Sequence, residues 1–425
     1  MTLLLLGLFL GLLLVGAPIA VAMGLSAAVV ILTHHLPVAV LAQRSVNALD
    51  SSPLLAVPLF IFAANLLNAA GVTGHLFQLI RLLVGRIRGG VAQVSVLVNL
   101  VFSGISGAAL ADIGALGSIQ MRMMREQGYR DEFAAGVTMA AATIGPIFPP
   151  SIPIIIFAAA ANVSAVKLLL AGIVPALIIA VLLMLQIAVT ARLKGLPRDA
   201  VRPDLKEIAR TFLVSLPALL APVLLIGGLL SGYFGPTEVA GVTVAYALAI
   251  GSLVYRQLTW RSLLAAARET VEATASVLFI VAAAALFAWV LTVDRVPANA
   301  SGFLLGLSRD PLVLLLILNG LLLVVGMVLE SLAAILIIAP IVTPALVAAG
   351  VDPIQLGVVF VLNLMIGLLT PPVGMSLYMV AIVAKLPLHR VVVGVLPFLI
   401  PLLLSLLVVT LVPAVATWLP NLVIK

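Results

Sequence analysis

The fold is decided by a short stretch in the first half of the chain, IGPIFPP at residues 144–150. The pattern recurs in the second half as IGLLTPP at residues 366–372, so both copies read I-G-x-x-x-P-P inside a long apolar segment. Proline lacks an N–H and clashes with the preceding helical turn, and the residue before a proline avoids helical angles. The repeat therefore predicts one broken helix in each half of the chain.

A broken helix frees main-chain carbonyl groups, which are tolerated at membrane depth only where protein covers them or where they line a cavity. Two such breaks at matching positions are typical of the binding site of a secondary transporter. The freed carbonyls suit a hard cation such as Na⁺, and the half-helix N-termini can face an anion. The alternative is a pair of proline kinks that only shape the helix bundle.

Each break has a companion upstream that contains small residues. The first companion is SGISG at residues 103–107, and the second is GMVLES at residues 326–331. Small polar residues in the middle of an apolar segment suit the tip of a re-entrant hairpin, although Gly, Ala and Ser also form helix-packing faces in lipid. The pattern favours two re-entrant hairpins and two broken helices in an inverted repeat.

The composition supports an all-α polytopic membrane protein. Of the 425 residues, 64% are hydrophobic and only 9% are charged, whereas soluble domains carry roughly 25% charged residues. These values exclude a soluble enzyme and a disordered chain, and the lack of cysteine excludes disulfides and thiolate metal sites. Apolar runs of about 20 residues predict roughly ten to twelve membrane segments, the first from Leu3 to Leu32.

A basic stretch near the middle of the chain predicts a cytoplasmic loop by the positive-inside rule. Its basic residues are Arg192, Lys194, Arg198, Arg202, Lys206 and Arg210. Two amphipathic stretches, 41–49 and 76–87, are predicted to lie in the membrane interface or, alternatively, to be ordinary cytoplasmic loops.

These features divide the chain into four parts. We expect N-terminal scaffold helices and interfacial arm helices in residues 1–90, and the first transport-domain repeat, a hairpin plus a broken helix, in 91–191. Residues 192–310 are expected to hold the basic cytoplasmic loop and a second scaffold part. The second transport-domain repeat, again a hairpin plus a broken helix, and a C-terminal helix are expected in 311–425.

Several stretches together resemble the large membrane subunit of the TRAP (tripartite ATP-independent periplasmic) transporters. They are PLFIFA at 58–63, RGG at 88–90, residues 103–112, GY at 128–129 with FAA at 133–135, residues 143–153, LAGIVP at 170–175, PTE at 236–238, and Asn363 with residues 367–374. The resemblance spans nearly the whole chain. One departure is Ala64-Asn65, where relatives often carry Gly-Glu, and it puts a carboxylate role at that position in doubt.

The resemblance implies a function and two partners. It implies an elevator-type, Na⁺-coupled importer of small organic acids (dicarboxylates, sialic acids or sugar acids) in the bacterial inner membrane, with Na⁺ as the coupling ion and no organic cofactor. It also implies a small membrane subunit of the same transporter and a periplasmic substrate-binding protein that delivers the organic acid. No enzymatic activity is expected.

The same resemblance implies the site residues. The first Na⁺ is expected between Ser103, Ser106, Gly145 and Phe148, and the second between Gly326, Gly367, Thr370 and Val373. The repeat supports this assignment independently, because the second and fifth positions of its two copies correspond. The substrate is expected near Pro149, Pro150, Ser151, Glu330, Ser331, Pro371 and Pro372.

Two other functions remain as alternatives. A stand-alone Na⁺/dicarboxylate symporter built from similar inverted repeats would not need a binding protein. An intramembrane serine protease is suggested by GISG at residues 104–107, but such an enzyme needs a base beside its serine. None of the four histidines lies deep in a strong apolar run, which argues against the protease.

Overall fold

The computed structural model describes residues 1–198 and 204–424, and all regular secondary structure within them is helical. Arg202 of the basic stretch therefore lies outside the described residues. The first eleven helices are α1 (Thr2–Leu14), α2 (Ile19–Thr33), α3 (Ala39–Leu49), α4 (Ser52–Ala69), α5 (Val72–Val84), α6 (Gly90–Ser106), α7 (Ala109–Glu126), α8 (Asp131–Ala142), α9 (Ile152–Ala161), α10 (Ala165–Ala171) and α11 (Ile173–Lys194).

The second half follows the basic stretch. Its helices are α12 (Leu205–Leu230), α13 (Pro236–Ala249), α14 (Trp260–Val293), α15 (Val296–Leu307), α16 (Pro311–Gly326), α17 (Ser331–Ala348), α18 (Pro353–Gly367), α19 (Met375–Ala384), α20 (Leu388–Leu411) and α21 (Ala414–Val423). A π-helical turn, Ile250–Val254, extends α13. The all-α, multi-pass fold predicted from the sequence is confirmed.

The number of long membrane helices is smaller than predicted. Within the described residues, seven helices are long and apolar enough to cross a membrane, or eight if the bent pair α15–α16 counts as one span. The predicted first span from Leu3 to Leu32 is wrong as a single rod, since α1 ends at Leu14 and α2 begins at Ile19. Gly16 has a φ of +86° and Pro18 precedes α2, so the chain turns between them.

Two pairs of consecutive helices, which we call hairpins, and two helices interrupted at proline pairs lie in the segments that the sequence indicates, and their re-entrant character stays a prediction. The first hairpin is α6–α7, and the interrupted helix that follows is α8–α9. The second hairpin is α16–α17, followed by α18–α19. Both proline pairs, Pro149–Pro150 and Pro371–Pro372, have cis peptide bonds. The inverted-repeat relation between the halves stays a prediction, as does the four-part division of the chain.

Acidic caps fix where two of these helices begin. Asp310 and Asp352 each precede a proline at the first helical position of α16 and α18. The Asp310 carboxylate accepts a 2.8 Å hydrogen bond from the Leu312 N–H, and Asp352 accepts one of the same length from Ile354. A side-chain cap with a proline in the first turn stabilises a helix start.

Two groups of helices face each other across the molecule. One contains the hairpins and interrupted helices, α6–α9 and α16–α20, which cross closely enough that a Cβ at Gly136 of α8 would overlap the Gly394 carbonyl of α20. The other contains α2, α3, α4, α13 and α14. Helices α4 and α14 form the boundary, because α4 packs against α6 and α9 while α14 packs against α17.

The two amphipathic stretches are both helical but differ in packing. Helix α3 has no buried residue. Helix α5 buries one face, including Leu76, Leu79 and Ile80, and packs against α6 and α12. The sequence therefore located both helices. Helix α5 buries more of its surface within the protein than is expected of a helix that lies in the membrane interface.

Candidate functional site

The first hairpin tip, residues 103–107, packs directly against the first break, residues 144–150. The Gly107 carbonyl accepts a 3.3 Å hydrogen bond from the N–H of Ile152, the first residue of α9. Gly107 has a φ of +70°, and a Cβ there would overlap the Pro150 carbonyl, so only glycine allows this approach. A Cβ at Gly104 would lie 3.5 Å from the Phe148 ring. The glycines of the hairpin tip thus lie against the residues of the break, and the role of Ser103 and Ser106 as cation ligands stays a prediction.

A buried carboxylate completes this cluster. Asp112 lies in the first turn of α7 and is only 1% exposed. Its side chain lies directly against Gly145, and the Ser106 hydroxyl approaches it. Neither carboxylate oxygen has a partner at normal hydrogen-bond geometry within the described residues. A buried carboxylate without a partner is energetically expensive, so this arrangement fits a bound cation.

The second tip packs against the second break in the same manner. The Gly374 N–H donates a 3.0 Å hydrogen bond to the Met327 carbonyl, which joins the end of the second break to the second tip. Gly326 and Gly367 lie in backbone contact, since a Cβ built on Gly367 would come within 2.6 Å of Gly326 Cα. Close contact of two backbones requires glycine on both sides.

Five of the predicted cation ligands offer an unpaired main-chain oxygen, whereas the Gly367 carbonyl already accepts a 2.9 Å hydrogen bond from the Thr370 N–H. Among the described residues, no hydrogen bond reaches the main-chain carbonyls of a set drawn from both breaks and the second tip: Gly145, Phe148, Gly326, Thr370 and Val373. The Ser103 hydroxyl donates to Leu100 at 2.7 Å and the Thr370 hydroxyl donates to Ile366 at 2.8 Å. Each hydroxyl keeps lone pairs for a cation, and oxygen is the ligand that hard cations prefer.

A cavity of about 380 Å³ lies between the two tips. On the hairpin side it is lined by Ser106, Glu330 and Ser331. On the opposite side it is lined by Asn65 of α4 and Glu269 of α14. The volume suits a small organic molecule, and the location spans the boundary between the two groups of helices.

One helix N-terminus at this cavity has no cap. The residue before α7 is Ala108, whose methyl side chain cannot cap the helix. The N–H groups of Ala109, Leu110 and Ala111 have no acceptor within the described residues. These residues line the cavity. Free N–H groups at a helix N-terminus attract anions, so this end of α7 is suited to a carboxylate.

Two other helix starts near the site are already capped. Ser151 accepts a 3.1 Å hydrogen bond from the Ile154 N–H at the start of α9. Glu330 accepts hydrogen bonds from Leu332 and Ala333, at 2.8 and 3.2 Å, at the start of α17. Glu330 therefore spends part of its hydrogen-bonding capacity on its own helix, which distinguishes it from Asp112.

The predicted substrate residues divide into two sets. Glu330 and Ser331 line the cavity, and Ser106, predicted as a cation ligand, lines it as well. The remaining predicted residues are not among those that line it, and their role in substrate binding stays a prediction: Pro149, Pro150, Ser151, Pro371 and Pro372.

Sequence reasoning missed the residues contributed by the opposite side. Asn65 and Asn68 of α4 and Glu269 of α14 line the cavity, and the Asn65 amide donates a 3.0 Å hydrogen bond to the Thr270 hydroxyl. Asn65 could have been found, because it is a polar residue inside an apolar helix. Glu269 carried no local signal, since it lies in an ordinary charged stretch of α14.

Comparison with known proteins identifies relatives over almost the full length. A family model described as "Tripartite ATP-independent periplasmic transporter, DctM component" matches residues 6–415. The chain is 40% identical over 418 residues to the sialic acid TRAP transporter large permease protein SiaM of Vibrio cholerae, with 97% of each chain covered. It is 39% identical over 401 residues to the C4-dicarboxylate TRAP transporter large permease protein DctM of Pseudomonas aeruginosa, covering 94% of this chain and 93% of that one.

A solved structure shares the fold. The YdaH transporter of Alcanivorax borkumensis, described as having an unusual topology, matches with a TM-score of 0.65 and 18% identity over 90% of this chain and 88% of that one. The similar proteins are named as permeases and not as enzymes, which confirms the expectation of a non-enzymatic membrane protein. No histidine is among the residues that line the cavity with Ser106, so the base that a serine protease needs is not among them.

Proposed function

The chain belongs to the DctM component family of the tripartite ATP-independent periplasmic transporters, and we propose that it is the large permease subunit of a Na⁺-coupled importer of small organic acids. The observation that carries this proposal is the cavity between two glycine-clamped tips, each next to a break with unpaired carbonyls. Its place is the bacterial inner membrane, as a multi-pass protein.

Two Na⁺ ions are co-substrates in this proposal. One is held by the carbonyls of Gly145 and Phe148 with the hydroxyls of Ser103 and Ser106, and the Asp112 carboxylate balances its charge. The other is held by Gly326, Gly367, Thr370 and Val373. Because each set joins a hairpin to an interrupted helix, a bound ion fixes the tip that borders the cavity.

The organic acid binds between the tips. Its carboxylate is oriented by the free N–H groups at the start of α7, supported by the adjacent cation, since no lysine, arginine or histidine is among the residues lining the cavity. The amides of Asn65 and Asn68 hydrogen-bond the remaining polar groups from the side of α4. The ions must bind first. Without them, the carboxylates of Glu269 and Glu330 in the cavity lining would repel the carboxylate of the organic acid.

Transport then follows an elevator movement. The helices that hold both breaks, α6–α9 and α16–α20, move as a unit past α4 and α14, which contact them across the boundary. The substrate travels with the moving unit because its carboxylate and the ions are attached to that unit. The substrate contacts Asn65 and Glu269 when the moving unit is on one side of the membrane, and it loses these contacts when the unit reaches the other side.

Two protein partners complete the transporter in this proposal. A periplasmic binding protein delivers the organic acid, and a small membrane subunit joins the static helices. The names of the relatives, which refer to tripartite systems for sialic acid and for C4-dicarboxylates, support this assembly and leave both substrate classes to be tested.

Reconstitution in liposomes tests the proposal. The chain and its small subunit are reconstituted, and uptake of radiolabelled sialic acid or succinate is measured with or without the cognate binding protein, under an inward Na⁺ or K⁺ gradient. We expect uptake of one acid that requires both Na⁺ and the binding protein. Equal uptake in K⁺ would overturn Na⁺ coupling, and full uptake without the binding protein would favour a stand-alone symporter.

A further inference from the structure

A second cavity, of about 430 Å³, lies at the opposite end of the interrupted helix α8 from the first break. It is bounded by the segment leading into α8, the C-terminal turn of α11 and the first turns of α20. The segment after α11 is held beside it, because the Pro197 carbonyl accepts hydrogen bonds from the Tyr129 hydroxyl at 3.2 Å and the Gly89 N–H at 3.1 Å. This end adjoins the basic stretch, which the positive-inside rule predicts to lie on the cytoplasmic side.

Positive charge dominates the polar lining. Arg130, Lys194 and Arg390 line the cavity, and Glu132 is the one carboxylate among the residues that line it. Arg390 lies 2.7 Å from Glu132 and Arg130 lies 3.6 Å from it, so one carboxylate is shared by two guanidinium groups. Lys194 has no ion pair within the described part of the chain. A net positive charge is therefore left in the cavity.

The remaining wall is apolar and open to the side. The rings of Phe133 and Phe398 pack with their centroids 5.7 Å apart, and both line the cavity. Val393, five residues before Phe398 on α20, lines it as well and is 60% exposed. In a membrane, an exposed apolar side chain of this kind faces lipid, so the cavity joins a cationic end to an acyl-chain environment.

We propose that this cavity binds the phosphate headgroup of an anionic phospholipid from the cytoplasmic leaflet. The phosphate lies between Lys194, Arg130 and the outer face of Arg390, and the first part of an acyl chain lies along Val393 and Phe398. Guanidinium groups recognise phosphate through paired N–H donors, and lysine adds a compact charge. A zwitterionic lipid gains less, because its own cation is repelled by the basic lining.

Native mass spectrometry of the purified full-length chain tests this proposal. The protein is exchanged into detergent and titrated with phosphatidylglycerol or phosphatidylcholine carrying the same acyl chains. We expect the first phosphatidylglycerol to bind at least tenfold more tightly than phosphatidylcholine. The substitutions Lys194→Gln and Arg130→Gln should each weaken phosphatidylglycerol binding about fivefold, as expected for one cation near an anionic headgroup.

Matched variants locate the effect. Lys206→Gln removes a cation from the first turn of α12, outside the cavity lining, and should leave binding unchanged. Val393→Asp keeps every cation but puts a carboxylate in the acyl path, and should weaken binding at least fivefold. Val393 lies in the second turn of α20, next to the charged end of the cavity, where a carboxylate can reach water. This variant is therefore expected to fold, and it tests the site even if a variant of the cationic lining does not fold.

Two results would overturn the proposal. Equal binding of the two lipids, or unchanged phosphatidylglycerol binding in Lys194→Gln and Val393→Asp, would show that the basic lining and the apolar wall do not form a lipid site. Displacement of phosphatidylglycerol by millimolar glycerol phosphate or inorganic phosphate would show a site for soluble phosphate instead. Persistence of lipid binding in their presence supports the membrane source.

Discussion

The two breaks share a sequence pattern but differ in charge and exposure. The first break is buried throughout, from Thr143 to Ser151, and has the unpartnered Asp112 carboxylate beside it. The second is partly open, since Val373 is 37% exposed, and the acid of the adjoining hairpin, Glu330, caps α17. One break is thus a closed site with a charge, and the other is an open site built from neutral oxygens.

This difference shows that the duplicated motif determines the backbone conformation of each break, while the residues around it determine the charge and the exposure of the break. The capping pattern is also exchanged between the halves. In the first half Ser151 caps the interrupted helix and the hairpin arm α7 is free, whereas in the second Glu330 caps the hairpin arm α17 and the interrupted helix α19 has no side-chain cap. We therefore expect the first site to hold its cation more tightly and the second to exchange it faster.

The largest effect is expected from removing the charge of the first site. Asp112→Asn keeps the shape but deletes the charge that offsets a cation, so the Na⁺ concentration for half-maximal uptake should rise roughly 30-fold, or about 2 kcal/mol. Uptake rates against Na⁺ concentration measure it. Asp310→Asn, an exposed helix cap, is the matched control and should change this concentration little. An unchanged Na⁺ dependence in Asp112→Asn would remove the distinction between the breaks.

The next effect concerns the glycine contact at the second site. Gly367→Ala forces a methyl group against the Gly326 backbone, so the tip must move, and uptake should fall about tenfold. Gly227→Ala of α12 is the control, because a Cβ there meets nothing within 4 Å. Normal uptake in Gly367→Ala would mean that the second tip and break need not touch.

A smaller effect is expected from single hydroxyl ligands. Ser106→Ala and Thr370→Val each remove one neutral oxygen, and each should raise the half-maximal Na⁺ concentration about fivefold, in line with the net energy of one polar contact. Ser276→Ala on the exposed face of α14 serves as the control. No change in both variants would contradict the ligand assignment for both breaks.

The smallest effect on uptake is expected from the cap of the first interrupted helix. Ser151→Ala removes the side chain that accepts from Ile154 and donates to the Pro146 carbonyl, so the free energy of unfolding should fall by about 1–2 kcal/mol. Thermal unfolding in detergent measures this change. The Na⁺ dependence of uptake should stay the same, and a shift as large as that of Ser106→Ala would instead place the Ser151 side chain among the ligands.

The sequence predicted the parts of the fold that depend on local backbone chemistry. Proline pairs and the glycines at residues 107 and 326 locate the breaks and tips, because these residues restrict or free the backbone wherever they occur. The break between α1 and α2 was missed, since Gly16 and Pro18 lie inside an apolar run long enough to read as one span.

The site was predicted only on the side that carries the motif. Asn65, Asn68 and Glu269 reach the cavity through the packing of α4 and α14 against the hairpin group, and no spacing in the sequence encodes that contact. The importance of Asp112 was equally hidden. The sequence alone does not distinguish an acid in the first turn of a helix that faces water from one that, like Asp112, packs against the break at Gly145.

Equilibrium binding of radioactive ²²Na⁺ to the purified transporter tests the central claim most directly. The account predicts two ions bound per chain, and one fewer in Asp112→Asn at the same free Na⁺ concentration, because the closed site loses its ion while the open site keeps its own. The account would be contradicted if the unaltered protein retained no Na⁺, or if Asp112→Asn retained as many ions with the same affinity.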